Sequence, residues 1–132
     1  MRALILIALI ASCTPAAQQS QPARASLPDE LRAAGLSVED AGPIEQSFFS
    51  VPAHVYLVEG NDLQVYRYAS EQAAATDAAK VTPNGAIGTS MPHWIAPPHF
   101  FRRADTIAIY LGTNARVLAE LERLMGKQFA GQ

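Results

Sequence analysis

The sequence predicts an α+β domain with an antiparallel sheet of about five strands and helices packed on one face of that sheet. Two observations support this fold class. The predicted order is a helix, three strands, a helix, two strands and a final helix, and short turn-forming segments separate the strands within each group. Short turns join antiparallel strands, whereas parallel strands need long crossover connections.

The first predicted element is a short helix that begins near Pro28 and ends before Gly35. Proline fits the first helical turn, and Asp29 and Glu30 favour the positive end of the helix dipole. Glycine is typical of the position just past a helix end. These residues together bound the helix.

Three strands follow, at residues 36–51 with an interruption at 42–43, at 54–59 and at 63–69. A Gly-Pro pair causes the interruption. The Gly-Asn-Asp segment at residues 60–62 is a strong hairpin signal between the second and third strands. The third strand alternates, with Leu63 and Val65 on one face and Tyr66 on the other.

A helix that is capped by Ser70 and runs to Lys80 opens the second half of the domain. Its apolar side chains are almost all alanine. Small side chains let a helix approach a sheet closely, so we expect tight packing with little buried area.

Two strands and a last helix complete the predicted fold. The strands span residues 93–102 and 106–111, and a tight turn joins them. The helix spans about residues 114–125, carries an apolar stripe at helical spacing and ends at Gly126. We expect Phe129 to fold back onto the core.

The phase of the strands predicts an aromatic surface. If Leu63 and Ile107 both face the helices, all four tyrosines of the chain share the open face of the sheet: Tyr56, Tyr66, Tyr68 and Tyr110. Two interpretations stay open. Tyrosine favours strands and tolerates half-exposed positions, which is a purely structural reason. Alternatively, the tyrosines form a platform that binds a ligand or partner together with Trp94, His99 and Arg102.

The chain begins with a pattern that is typical of a secretory signal. A positive charge at Arg2 precedes an apolar run over residues 3–11, and the only cysteine, Cys13, follows shortly after. Nine helical residues rise about 14 Å, roughly half of a bilayer core, so the run is too short to span a membrane. A secretory signal with an incidental cysteine is one interpretation.

The four residues at 10–13, Ile-Ala-Ser-Cys, resemble the bacterial lipobox. The resemblance implies cleavage after Ser12, which makes residues 1–12 a lipoprotein signal peptide, and diacylglycerol on the Cys13 sulfur. Two or more acyl chains anchor a protein stably in a membrane. The resemblance also implies a bacterial envelope location, and Thr14 favours the outer membrane, with the protein facing the periplasm.

The lipidated cysteine and its following segment, residues 13–26, are expected to form a disordered tether, because they contain little apolar surface. Residues 27–132 then form a single domain. This domain contains eight basic and twelve acidic side chains, a formal net charge of −4. Such a charge argues against nucleic acid as a partner and against tight adhesion to an anionic lipid surface.

No catalytic signature is recognised in the domain, which lacks a nucleophile elbow, a phosphate loop and a dinucleotide fingerprint. His93 and His99 would lie about 20 Å apart on an extended strand, too far to share a metal, so we predict no metal or cofactor. An acid/base role for either histidine predicts a carboxylate within hydrogen-bond distance. The Arg102-Arg103 pair is either an anion-binding pair or a solvated strand end.

Several stretches of the domain resemble a group of uncharacterised bacterial lipoproteins, and they lie at residues 44–52, 65–68, 93–94, 98–101, 107–112 and 129–131. The resemblance implies a single envelope domain and identifies no catalytic residue. The leading hypothesis is therefore a non-enzymatic interaction or accessory module with an envelope protein as partner. A small-molecule-binding periplasmic domain is the alternative, and a hydrolase-type enzyme is a third possibility.

Overall fold

The computed structural model describes residues 24–132, which form one six-stranded antiparallel sheet and three helices. The α+β class is confirmed. The strand order in the sheet is β1-β2-β3-β5-β4-β6. The elements are α1 (Leu27–Ala33), β1 (Val38–Ile44), β2 (Ala53–Val58), β3 (Asn61–Arg67), α2 (Glu71–Ala78), β4 (Pro98–Arg103), β5 (Thr106–Leu111), α3 (Ala115–Met125) and β6 (Ala130–Gly131).

The central hairpin between β2 and β3 turns at Glu59 and Gly60, so the turn begins one residue earlier than the sequence predicted. Both residues have a positive φ, 49° at Glu59 and 82° at Gly60. Two consecutive positive φ angles are typical of a type I′ turn, whose twist matches the twist of the flanking strands. The turn therefore sets the register of the hairpin.

The edge strand β1 differs from the prediction, because it runs through the Gly-Pro pair at residues 42–43 and ends at Ile44. Its register shifts between Asp40 and Gly42, and Gly42 has a φ of 87°. Such a bulge and a proline are tolerated on an edge strand, where one side of the backbone needs no partner. Residues 45–51, which were predicted as strand, form a loop instead.

The helices lie on both faces of the sheet, not on one as expected. Helices α1 and α3 cover one face, which we call the α1/α3 face. Helix α2 covers the other, the α2 face, together with the loops around residues 45–52 and 81–97. Strands β3 and β5 are buried on both sides, and the small alanines of α2 allow its close approach. Within residues 24–132, no helix is both long and apolar enough to cross a membrane.

Candidate functional site

The predicted tyrosine platform does not form, because the register of β5 differs from the one assumed. Leu63 lies opposite Tyr110, and Tyr66 lies opposite Ile107. Cross-strand partners share a face. Tyr110 therefore packs with Leu63 on the α1/α3 face, whereas Tyr66 packs with Ile107 on the α2 face.

Three of the four tyrosines are core residues. Tyr66 and Tyr110 are 0% exposed, and Tyr68 is also buried. Burial raises the pKa of the Tyr66 phenol, and burial together with a hydrogen bond to Asp77 raises that of Tyr68. Tyr56 is half-buried on the α1/α3 face. The four tyrosines therefore form no shared surface for a ligand.

His99 and Arg102 are also separated by the sheet. His99 is buried on the α1/α3 face, where its Nδ1 lies 2.9 Å from Oε1 of Gln128. Arg102 lies on the opposite face, and its Nη1 is 3.9 Å from Oε1 of Glu71. The Arg102-Arg103 pair splits likewise, because Arg103 donates to Glu30 at 2.8 Å on the α1/α3 face.

Among the predicted binding residues, Trp94 lines a cleft with polar side chains on the α2 face. Its ring centroid lies 6.1 Å from that of Phe48 and 5.8 Å from that of Phe100, and its indole nitrogen donates to the carbonyl of Gly85 at 3.3 Å. Beside it lies a cleft of about 200 Å³ on the α2 face, which we call the amide–aromatic cleft. It is lined by Gln46, Phe48, Asp62, Gln64, Pro92, His93, Trp94, Ile95 and Leu111.

Two glutamine side chains form the polar floor of the amide–aromatic cleft. Gln64 is only 5% exposed, and its Oε1 accepts a hydrogen bond from Nε2 of Gln46 at 3.2 Å. The Tyr66 hydroxyl lies 2.9 Å from Oε1 of both Gln64 and Gln46, so the two acceptors share its single proton. The Nε2 of Gln64 has no hydrogen-bond partner among the described residues, yet it is not enclosed by protein. The network therefore engages the carbonyl oxygen of Gln64, and the two N–H donors of its side chain are not used within the described residues.

Sequence reasoning missed both glutamines. The one signal for Gln64 was its polar character between Leu63 and Val65, and only the structure shows that this strand is buried on both faces. A buried polar side chain must find partners, and such a residue often has a specific role. Gln46 carried no comparable signal, because it lies in a loop that was predicted as strand.

The rim of the amide–aromatic cleft is apolar and exposed. Ile95 is 77% exposed and lines the cleft, and Met91, which is 61% exposed, lies four residues before it. Ile95 is therefore an exposed apolar side chain at the edge of a cleft, where it is accessible to a ligand or partner. His93 is also exposed at this rim.

Neither His93 nor His99 forms an ion pair with a carboxylate in residues 24–132. The histidine that contacts a carboxylate is His54, whose Nε2 lies 2.6 Å from Oδ1 of Asp40. That hydrogen bond, followed by one from the amide of Gly42, lowers the pKa of Asp40. In the same part of the chain, no three His, Cys, Asp or Glu side chains are grouped as metal ligands.

Cys13 lies outside the described residues, so its lipidation stays a prediction. The resemblance to uncharacterised bacterial lipoproteins likewise stays a prediction. No family model, no curated protein and no solved structure matches this chain.

Proposed function

We propose that this chain is a lipid-anchored protein of a bacterial envelope, and that its folded domain is a non-enzymatic binding module. The anchor rests on the lipobox-like residues 10–13, in which the only cysteine follows a short apolar run. The outer membrane, facing the periplasm, is the location that Thr14 favours.

The binding role rests on one observation, the amide of Gln64. Its carbonyl oxygen is held by Gln46 and Tyr66, while its nitrogen remains available beside Trp94. A donor that is fixed before binding loses little entropy when a ligand arrives. A rigid polar group next to an aromatic ring is the usual composition of a small-ligand site.

The ligand class that fits this cleft is neutral and small. Its floor offers amide donors and acceptors, and its wall offers the rings of Trp94 and Phe48. The volume of about 200 Å³ is below the range of about 300–1,000 Å³ that is common for drug-sized ligands. A single sugar ring combines hydroxyl groups with an apolar face, so we propose a saccharide unit.

A protein partner is the second candidate, and exposed Ile95 and Met91 favour it. These side chains would contact a partner that inserts a polar side chain into the amide–aromatic cleft. This arrangement corresponds to the interaction or accessory module that the sequence indicates. The two candidates share the cleft and differ in the size of their ligand.

The test of the binding role uses the fluorescence of Trp94, the only tryptophan of the chain. We expect N-acetylglucosamine and its short oligomers to change the emission in a saturable way. Gln64→Met removes the amide group but keeps a side chain of similar length, and this variant should lose the fluorescence response. Gln72→Met, at an exposed position on α2, is the matched control and should respond like the wild type.

A wild-type protein with no saturable response would rule out the saccharide. Crosslinking from position 95 in intact cells then tests the protein partner, and a specific product that Gln64→Met also loses would support it. The anchor is tested separately. Cys13→Ser should move the protein from the membrane fraction to the soluble fraction. Mass spectrometry of the wild type should show acylation at Cys13.

A further inference from the structure

A second cleft, of about 100 Å³, lies on the α1/α3 face at the point where the described chain begins. We call it the basic cleft. It is lined by Arg24, Ala25, Ser26, Leu27, Pro28, His54, Tyr56, Val65, Arg67, Arg103, Asp105 and Thr106. Three arginines therefore meet in one cleft of a domain whose formal net charge is negative.

Two of these arginines are uncommitted. Arg103 donates to Glu30 at 2.8 Å and to the carbonyl of Leu124 at 2.7 Å, so its guanidinium is neutralised within the protein. Arg24 and Arg67 are exposed and form no hydrogen bond or ion pair with any residue from 24 to 132.

The lining of the basic cleft also holds a carboxylate and a histidine. Asp105 is the one acidic side chain of the lining, and its Oδ1 accepts a hydrogen bond from the hydroxyl of Thr106 at 3.2 Å. His54 is engaged by Asp40. Within the lining itself, two unpaired guanidinium groups face a single carboxylate. The carboxylates of Asp40 and Asp29 lie just outside the lining, where they contact His54 and Ser26.

The position of the basic cleft along the chain matters as much as its charge. Arg24 follows Cys13 by eleven residues, which span at most about 40 Å when fully extended. If Cys13 carries the lipid anchor, as proposed above, this cleft is the part of the domain that is closest to the membrane along the chain.

We propose that the basic cleft binds a phosphate group of an anionic membrane lipid, with the guanidinium groups of Arg24 and Arg67 as its ligands. Guanidinium matches phosphate geometry with two parallel hydrogen bonds. Screening at physiological salt acts over about 8 Å, so distant carboxylates of the acidic domain oppose this contact weakly. This proposal rests on the lipid anchor of the proposed function and identifies what the domain contacts at the membrane.

The contact would orient the domain. The basic cleft includes Arg67 and Thr106, at the end of β3 and the start of β5, on the α1/α3 face. The amide–aromatic cleft includes Asp62 and Leu111, at the start of β3 and the end of β5, on the α2 face. The two clefts therefore lie on opposite faces and toward opposite ends of the same strands. A bound headgroup would turn the amide–aromatic cleft away from the membrane.

The test measures how fast phenylglyoxal modifies each arginine in the lipidated full chain, reconstituted into vesicles. One set of vesicles contains phosphatidylcholine alone, and the other contains phosphatidylglycerol as well. Attraction of an arginine to an anionic surface corresponds to a factor of about five. We therefore expect Arg24 and Arg67 to react about fivefold more slowly on the anionic vesicles, and exposed Arg123 on α3 to react equally on both.

A variant pair sharpens this test. Arg67→Gln should remove the protection of Arg24, whereas Arg123→Gln changes the net charge equally and should preserve it. Equal rates on both vesicles, or equal slowing of Arg123, would overturn the proposal. The same protection by soluble glycerol phosphate on neutral vesicles would overturn the assignment to a lipid. Flotation with vesicles of either composition tests the anchor independently, so the two proposals can fail separately.

Discussion

The buried carboxylate of Asp77 accepts hydrogen bonds from both the backbone amide and the hydroxyl of Ser50, each at 2.7 Å, across 27 residues of sequence. The same carboxylate accepts from Tyr68 at 2.9 Å and from Lys80 at 2.6 Å. Asp77 thereby joins α2, the end of β3 and the loop at residues 45–52. That loop supplies Gln46 and Phe48 to the amide–aromatic cleft.

We predict that Asp77→Asn lowers the free energy of unfolding by about 2 kcal/mol near neutral pH. Burial opposes the charge of Asp77, but the hydrogen bonds from Lys80, Ser50 and Tyr68 outweigh burial and lower its pKa from 3.8 to about 2. A difference of one pKa unit corresponds to about 1.4 kcal/mol. Urea unfolding measures the loss. Glu122→Gln, at an exposed position on α3, is the control and should change stability by less than about 0.5 kcal/mol.

The same carboxylate predicts a pH dependence with a defined sign. Because the pKa of Asp77 is lower in the folded protein, its contribution is complete above pH 3.8 and is lost as the pH falls toward 2. Urea titrations at pH 5 and pH 2 should therefore show the difference between wild type and Asp77→Asn shrinking by about 2 kcal/mol. A difference that stays constant over this range would contradict the assignment.

Gly131→Ala should destabilise the protein more than a positive φ alone explains. A Cβ at this position would lie 2.0 Å from the carbonyl oxygen of Pro98, so β6 must move away from β4. Gly42→Ala is the matched control, because Gly42 is also a strand glycine with a positive φ but has no atom within 4 Å of its Cβ position.

We expect Gly42→Ala to cost about 1 kcal/mol and Gly131→Ala about 1–3 kcal/mol more. Thermal unfolding measures both variants. Hydrogen exchange should also show lost protection at the amide of Phe129, which donates to the carbonyl of Phe100. Equal costs for the two variants would mean that the close approach of β6 and β4 is unimportant for stability.

Tyr66→Ser and Tyr110→Ser should each reduce the free energy of unfolding by about 3–5 kcal/mol, the usual cost of removing a buried aromatic ring. Both rings are fully buried, on opposite faces of the sheet. Tyr56→Ser, at a half-buried position, should cost clearly less. Urea denaturation of the three variants measures this order. Three similar, small losses would contradict the burial of Tyr66 and Tyr110 and would support the predicted open face shared by all four tyrosines.

Most local features could be predicted from the sequence. Ser70 caps α2 by accepting from the amide of Ala73, Asn114 caps α3, and Gly126 ends α3. Such signals depend on a few neighbouring residues, so the sequence alone is sufficient to locate them. The charge of the domain and the pattern that points to lipidation at Cys13 are properties of the same local kind.

The candidate sites could not be predicted, because they depend on which strands pair and in which register. A register that places Tyr110 opposite Leu63 decides which face each side chain of β5 occupies, and a shift of one residue would exchange the faces. The same tertiary contacts cover both faces of the sheet, and they place the side-chain amide of Gln64 in one cleft with Trp94. They also bring Arg24 and Arg67 together, 43 positions apart, in a domain whose total charge is acidic. Short-range chemistry is enough to locate most of the helices and strands and to point to the proposed anchor. Which side chains meet depends instead on long-range pairing of the strands, which is seen only in the folded chain.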